Sequence, residues 1–117
     1  MNNIDNAKSY IRELIQLNKY NLTPCGYEKL DVSTAGVKSM TIPDGAKYAE
    51  IRVNSDITSQ SPLRYLLLAD VIPPTATDGL DLNNLDFFDL TGANILKNFR
   101  VIQTIAGTHV LHIQYYK

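Results

Sequence analysis

The spacing of apolar residues changes period once along the chain. Over residues 3–18, Ile4, Ala7, Ile11, Leu14 and Ile15 recur every three or four positions, the spacing of one helix face. Lys8, Ser9, Arg12, Glu13 and Gln16 fall on the other side. Asn2 or Asn3 supplies an N-cap, and Asp5 stands in the first turn, where the helix dipole favours a carboxylate. The helix is expected to end near Asn18 to Asn21, before Pro24 and Gly26 punctuate the chain. So short a helix is marginal alone in water. Its apolar stripe therefore needs cover, from its own domain, from a neighbouring subunit, or through a brief heptad of Ile4, Ala7, Ile11 and Leu14.

From about Leu30 onward the period becomes two. Val37, Ser39 and Thr41 alternate with Lys38, Met40 and Ile42, which predicts a strand. Pro43-Asp44-Gly45 follows as a turn, and Ala49, Ile51 and Val53 then alternate with Tyr48, Glu50 and Arg52. Together these predict a hairpin. Residues 54–62 are polar and read as an exposed loop. Leu63 to Ala69 is apolar apart from Arg64, the pattern of a central strand covered on both faces. Pro73 and Pro74 exclude an interior strand, because adjacent prolines remove two ladder donors. Short strands are predicted at Leu80–Leu82 and Phe87–Leu90, with a turn over Thr91-Gly92-Ala93-Asn94. Phe99 to Ile105 and His109 to Tyr116 complete a second predicted hairpin through Ala106-Gly107-Thr108. Turn signals every eight to twelve residues between short strands argue for a sandwich or barrel. The expected organisation is a helical arm and linker over residues 1–26, and an antiparallel β-sandwich over 27–117.

Composition narrows the function classes. The chain has 117 residues, 44% apolar and 20% charged, which suits one globular domain with a modest core. Its net charge of −1, with Lys and Arg scattered, carries no electrostatic footprint for nucleic acid or for an anionic membrane. The longest apolar run is far too short to span a bilayer. Residues 1–5 carry neither the basic region nor the apolar core of a signal peptide, so synthesis and folding are expected in a cytoplasm.

Candidate chemistry is sparse. Cys25 is the sole cysteine, which excludes an intrachain disulfide; it reads as a spectator thiol. His109 and His112 fall on opposite faces of one predicted strand and cannot share a metal there. Asp70, Asp78, Asp81, Asp86 and Asp89 offer oxygen ligands of the kind calcium takes, but their spacing matches no EF-hand and Asp is a favoured turn residue. Asp86 and Asp89 could form a glycosidase carboxylate pair only at a separation that sequence does not supply. No cofactor, metal or catalytic residue is expected. The seven tyrosines, with no tryptophan, favour contact surfaces. Tyr115 and Tyr116 are adjacent and point to opposite faces, so one should meet solvent or a partner.

One resemblance rests on particular residues. Thr41-Ile42-Pro43-Asp44-Gly45-Ala46, continuing to Tyr48-Ala49-Glu50-Ile51, is followed by Arg64-Tyr65, by Pro74-Thr75-Ala76-Thr77 with Gly79, and by a strand ending in Tyr115 and Tyr116. In that order the pieces resemble small β-sandwich structural proteins of tailed-bacteriophage virions, over about residues 33–117. Arg64 matches the arginine that recurs before the turn in that family. Where the family has Asp-Gly ahead of the prolines, this chain has Ala69-Asp70-Val71-Ile72.

The resemblance implies a jelly-roll or immunoglobulin-like sandwich and a non-enzymatic structural subunit in the capsid, neck or tail. Its partners would be other virion proteins and copies of itself, with no nucleic acid and no membrane. Ile4, Ile11, Leu14 and Tyr116 are the candidate interface residues. A second reading is a carbohydrate-binding module, since Pro74-Thr75-Ala76-Thr77 is also similar to immunoglobulin-like domains of chitin-degrading enzymes. The lack of tryptophan counts against a sugar platform of the usual kind.

Overall fold

Strand length and alternation sort the chain into two antiparallel sheets. The computed structural model describes residues 21–68 and 72–117. The helix predicted over residues 3–18, with Ile4, Ile11 and Leu14, lies outside them. Among the described residues, seven strands follow in order: β1 (Pro24–Asp31), β2 (Tyr48–Ser55), β3 (Leu63–Leu66), β4 (Leu80–Leu82), β5 (Phe87–Thr91), β6 (Arg100–Gln103) and β7 (His109–Tyr116). One short helix, α1 (Ala93–Asn98), stands where a turn was expected. The larger sheet has the order β1-β7-β2-β5 and the smaller β4-β3-β6, so the described chain is mostly β.

β7 is the centre of the larger sheet. Its burial alternates without a break, with His109, Leu111, Ile113 and Tyr115 all fully buried. On β2, Ala49, Ile51 and Val53 lie opposite Tyr115, Ile113 and Leu111, and the matching period of two puts both sets on one face. That inner face meets Leu63, Leu82 and Val101 of the smaller sheet in a single core. Between the sheets, Tyr65 of β3 stacks at 5.7 Å on Phe88 of β5 and at 5.6 Å on Phe99. Offset aromatic contacts of this kind contribute about 0.5–1.5 kcal/mol each beyond their area.

Four sequence expectations are corrected. First, Pro24–Asp31 is a strand, though Pro24 and Gly26 read as punctuation. A proline is tolerated at the first position of a strand. Gly26 sits where the register shifts against β7, and a Cβ there would lie 2.8 Å from Pro43 Cγ. Glycine serves close packing at that point.

Second, residues 37–42 form no ladder with β2. Lys38 makes an isolated bridge to Val101 on β6, and the Thr41 N–H donates to Glu28 Oε1 on β1 at 2.9 Å. The segment thus crosses from one sheet to the other: its side chains still alternate between exposed and covered, but its backbone joins no ladder. The turn itself is present, closed by the Ala46 N–H on the Pro43 carbonyl at 3.1 Å.

Third, β6 and β7 are not a hairpin, because they belong to different sheets. Residues 104–108 form a corner between them. Its anchor is His109: Nε2–H donates to the Ile105 carbonyl at 2.8 Å, and Nδ1 accepts from the Ser55 hydroxyl, also at 2.8 Å. Only Nε2 can donate to a carbonyl, and Ser55 Oγ already accepts from the Ile57 N–H, so one neutral tautomer satisfies the whole chain of bonds. Fourth, β3 is central as expected but stops at Leu66, and only Leu63 of its residues is fully covered.

Candidate functional site

Two surface features stand out. The first is the connection from β3 to β4. Arg64 projects on the side of the smaller sheet opposite Leu63 and lies directly across from Asp81, with which it pairs at 2.6 Å. Its Nε–H also donates to the Ala76 carbonyl at 3.1 Å, and a terminal nitrogen to the Gly79 carbonyl at 3.4 Å. One guanidinium therefore binds a carboxylate and two loop carbonyls through its planar set of donors.

Within the loop, Thr75 Oγ1 accepts from the Asp78 N–H at 2.9 Å, and the Thr75 N–H donates to the Asp78 carbonyl at 2.8 Å. Gly79 adopts φ +136°, and a Cβ there would meet Arg64 Cβ and the Tyr65 carbonyl at 3.2 Å. Pro74 is buried. Around this fixed turn, Leu68, Ile72 and Leu80 are 50%, 55% and 55% exposed. Of the three, Leu80 is placed by the ladder: it opens β4 opposite Tyr65, one residue before β3 ends.

The second feature is the outer face of the larger sheet. Register places Lys29, His112, Arg52 and Phe87 abreast on β1, β7, β2 and β5. The next row holds Tyr27, Gln114, Glu50 and Asp89. Tyr27 hydrogen-bonds His112 Nδ1 and its ring stacks on the imidazole, while the Arg52 guanidinium lies 5.4 Å over the Phe87 ring. Gln114 donates to the Gly26 carbonyl at 2.8 Å. Tyr27 and Phe87 are 61% and 55% exposed. Beside the row lies an open cleft of about 500 Å³, lined by Lys29, His112, Asn54, Asp56, Asn84 and Leu85 among others. Leu85 has φ +71°, which is uncommon for a branched residue; Leu85 N–H bonds the Val53 carbonyl and holds it there.

The remaining sequence candidates separate. Tyr116 sits at the far end of the outer face, half-buried and tilted against Tyr48 with ring centres 5.4 Å apart. Tyr115 points inward, and its hydroxyl donates to Glu28 Oε1 at 2.6 Å. Burial, then the Glu28 carboxylate, raise the Tyr115 phenol above its ordinary value; burial, then Asp89, do the same for Tyr48. His109 is a buried anchor and His112 an outer-face residue, on opposite sides as alternation requires. Asp78 and Asp81 serve the Arg64 loop, Asp86 accepts from the Asn83 N–H at 2.7 Å, and Asp89 lies on the outer face. Asp70 is outside the described residues. Among the described residues, no three His, Cys, Asp or Glu side chains converge as a metal would need. Cys25 is half-buried against the core.

Sequence reasoning missed the row on the outer face. Pro24–Asp31 was not read as a strand, and only β1 brings Lys29 and Tyr27 beside His112. The signal was present in the alternation of Tyr27, Lys29 and Asp31 with Glu28 and Leu30, hidden by the proline and glycine at its start. No protein-family model matches this chain, and no curated protein or solved structure matches it.

Proposed function

We propose that the chain is a structural subunit of a tailed-bacteriophage virion, a non-enzymatic sandwich of jelly-roll or immunoglobulin-like type that works through assembly contacts. The observation that carries this reading is the β3–β4 connection. Three large aliphatic side chains are exposed around a turn whose backbone Arg64, Thr75 and Gly79 hold in one shape. Leu80 directly follows that held turn, and an apolar group presented by fixed backbone loses little entropy when it docks, which is what a repeated assembly contact needs. The same turn carries the Pro74-Thr75-Ala76-Thr77 pattern on which the resemblance rests. The helix expected over residues 3–18, through Ile4, Ile11 and Leu14, and Tyr116 on β7 supply a second contact. Capsid, neck and tail positions are all compatible with this geometry.

Particles banded on a density gradient from cells producing this chain test the reading. The chain is expected in the particle band at fixed stoichiometry, and Leu80→Glu is expected to leave the subunit folded but absent from that band. A wild-type chain found only in the soluble fraction would overturn the proposal.

A further inference from the structure

The Lys29–His112–Arg52 row has a consequence that assembly contacts do not use. Side chains directly opposite on neighbouring strands stand about 5 Å apart, close enough for three in a row to share one ligand. Here Lys29 and Arg52 flank an imidazole on three consecutive strands; the row itself holds no acid, and Asp31, two residues further along β1, bears on Lys29 electrostatically. Among the described residues, no carboxylate comes within 4.0 Å of Lys29 or Arg52. Two rings fix the geometry. Tyr27 occupies His112 Nδ1, leaving Nε2 for the cleft that His112 lines, and Phe87 seats Arg52. An anion placed on the row would meet donors already in position on three neighbouring strands.

The cleft beside the row defines the rest of the ligand. Asn84 Oδ1 accepts from the Ser55 N–H, so its amide NH₂ is left as a donor. Asp56 Oδ1 accepts from the Thr108 N–H, and its second oxygen is left as an acceptor. Asn54 adds an amide, and Tyr27 an exposed ring at the edge. Amide donors and a carboxylate acceptor match sugar hydroxyls. A polyacidic peptide would be opposed by Asp56, whereas Leu85 and Val110 in the lining suit the apolar face of a sugar ring. The cleft volume falls within the usual range for small-ligand sites.

We propose that the outer face of the four-stranded sheet binds a carboxylate-bearing saccharide, its carboxylate on the Lys29–His112–Arg52 row and its hydroxyls in the adjoining cleft. The site stands independently of the virion reading, since a chain that never enters particles would still bind such a sugar.

Titration of the ¹⁵N-labelled chain with trigalacturonate tests the site, with trigalactose and a hexaglutamate peptide as comparisons. Trigalacturonate is expected to shift the Lys29, Arg52 and His112 amide signals and to leave those of β3 and β4 in place. Binding is expected to weaken at least tenfold for trigalactose, and at least tenfold in the Lys29→Gln/Arg52→Gln double variant, whose far-ultraviolet circular dichroism should match the parent. Equal binding of trigalactose, undiminished binding by the double variant, shifts confined to other strands, or binding of hexaglutamate alone would each overturn the proposal. So would the absence of any shift with trigalacturonate at millimolar concentration.

Discussion

The two sheets are built by different means. In the larger one, β1, β2 and β7 are eight residues long, and a strict period of two puts a buried side chain at every second position of β7. In the smaller one, the strands are three or four residues long and offer few such positions. Its shape depends on side chains that reach the backbone: Arg64 on the loop carbonyls, and the Thr104 hydroxyl on the Ser61 carbonyl at 2.6 Å. A long alternating strand is specified by its own pattern. A short one is specified by single polar contacts, so its sequence tolerates less change at fewer places.

That contrast can be broken by substitution. Ile113→Ala removes a fully buried aliphatic side chain from the middle of β7, and should lower global stability by about 2–5 kcal/mol in denaturant titrations. A loss as small as that of a surface change would mean that β7 does not organise the larger sheet. Gly79→Ala should cost about 1–3 kcal/mol, because alanine is strained at that φ and its methyl group meets backbone. Arg64→Ala should cost about 1–2 kcal/mol, mostly from the loop carbonyls left without their donor. Its ion pair with half-exposed Asp81 adds little. Hydrogen exchange would distinguish the sheets here, with faster exchange expected at residues 75–80 and none of that change in β7. Gln114→Ala should cost about 0.5–1.5 kcal/mol through the lost bond to the Gly26 carbonyl, rather than the near-zero expected of an exposed position.

The smallest effect at neutral pH comes from the buried phenols. Tyr115 and Tyr48 have their ionisation pushed upward in the fold, chiefly by burial. In the unfolded chain a tyrosine ionises near pH 10. Below that pH both states keep the proton and the two tyrosines add no pH dependence. Above it the unfolded chain releases protons that the folded chain retains, so stability falls as pH rises. Absorbance at alkaline pH should show two phenols that ionise only together with loss of the β signal. Ionisation of all seven tyrosines before unfolding would contradict this burial.

Alternation was enough to find β2, β5 and β7 and to choose the inward side of β7, because Leu111, Ile113 and Tyr115 carry an unbroken period. The all-β class and the separate short strands followed from the same signal. Partnership was not legible. Strand order depends on contacts between distant residues, and Val37 to Ile42 has the alternation of a strand without a ladder to join. The helix over Ala93–Asn98 was masked by the turn residues Gly92 and Asn94 that flank and enter it. Of the surface features, Arg64 was visible as a lone charge in an apolar run. The basic row was not, since its members are 23 and 60 positions apart in sequence and meet only across strand pairs.

The place of β7 in the larger sheet also governs how the molecule can be made. It is the last of the strands in chain order, yet it lies between β1 and β2 and hydrogen-bonds both. Until it arrives, β1 has no ladder partner among the described strands, and β2 has an edge open beside its pairing with β5. Native pairing of the larger sheet therefore waits for the end of this sequence to leave the ribosome. Non-local closure of this kind is slow, and open strand edges invite pairing with other chains meanwhile. Substitutions in β7 should accordingly reduce the yield of soluble protein during synthesis more than their effect on the finished fold would suggest.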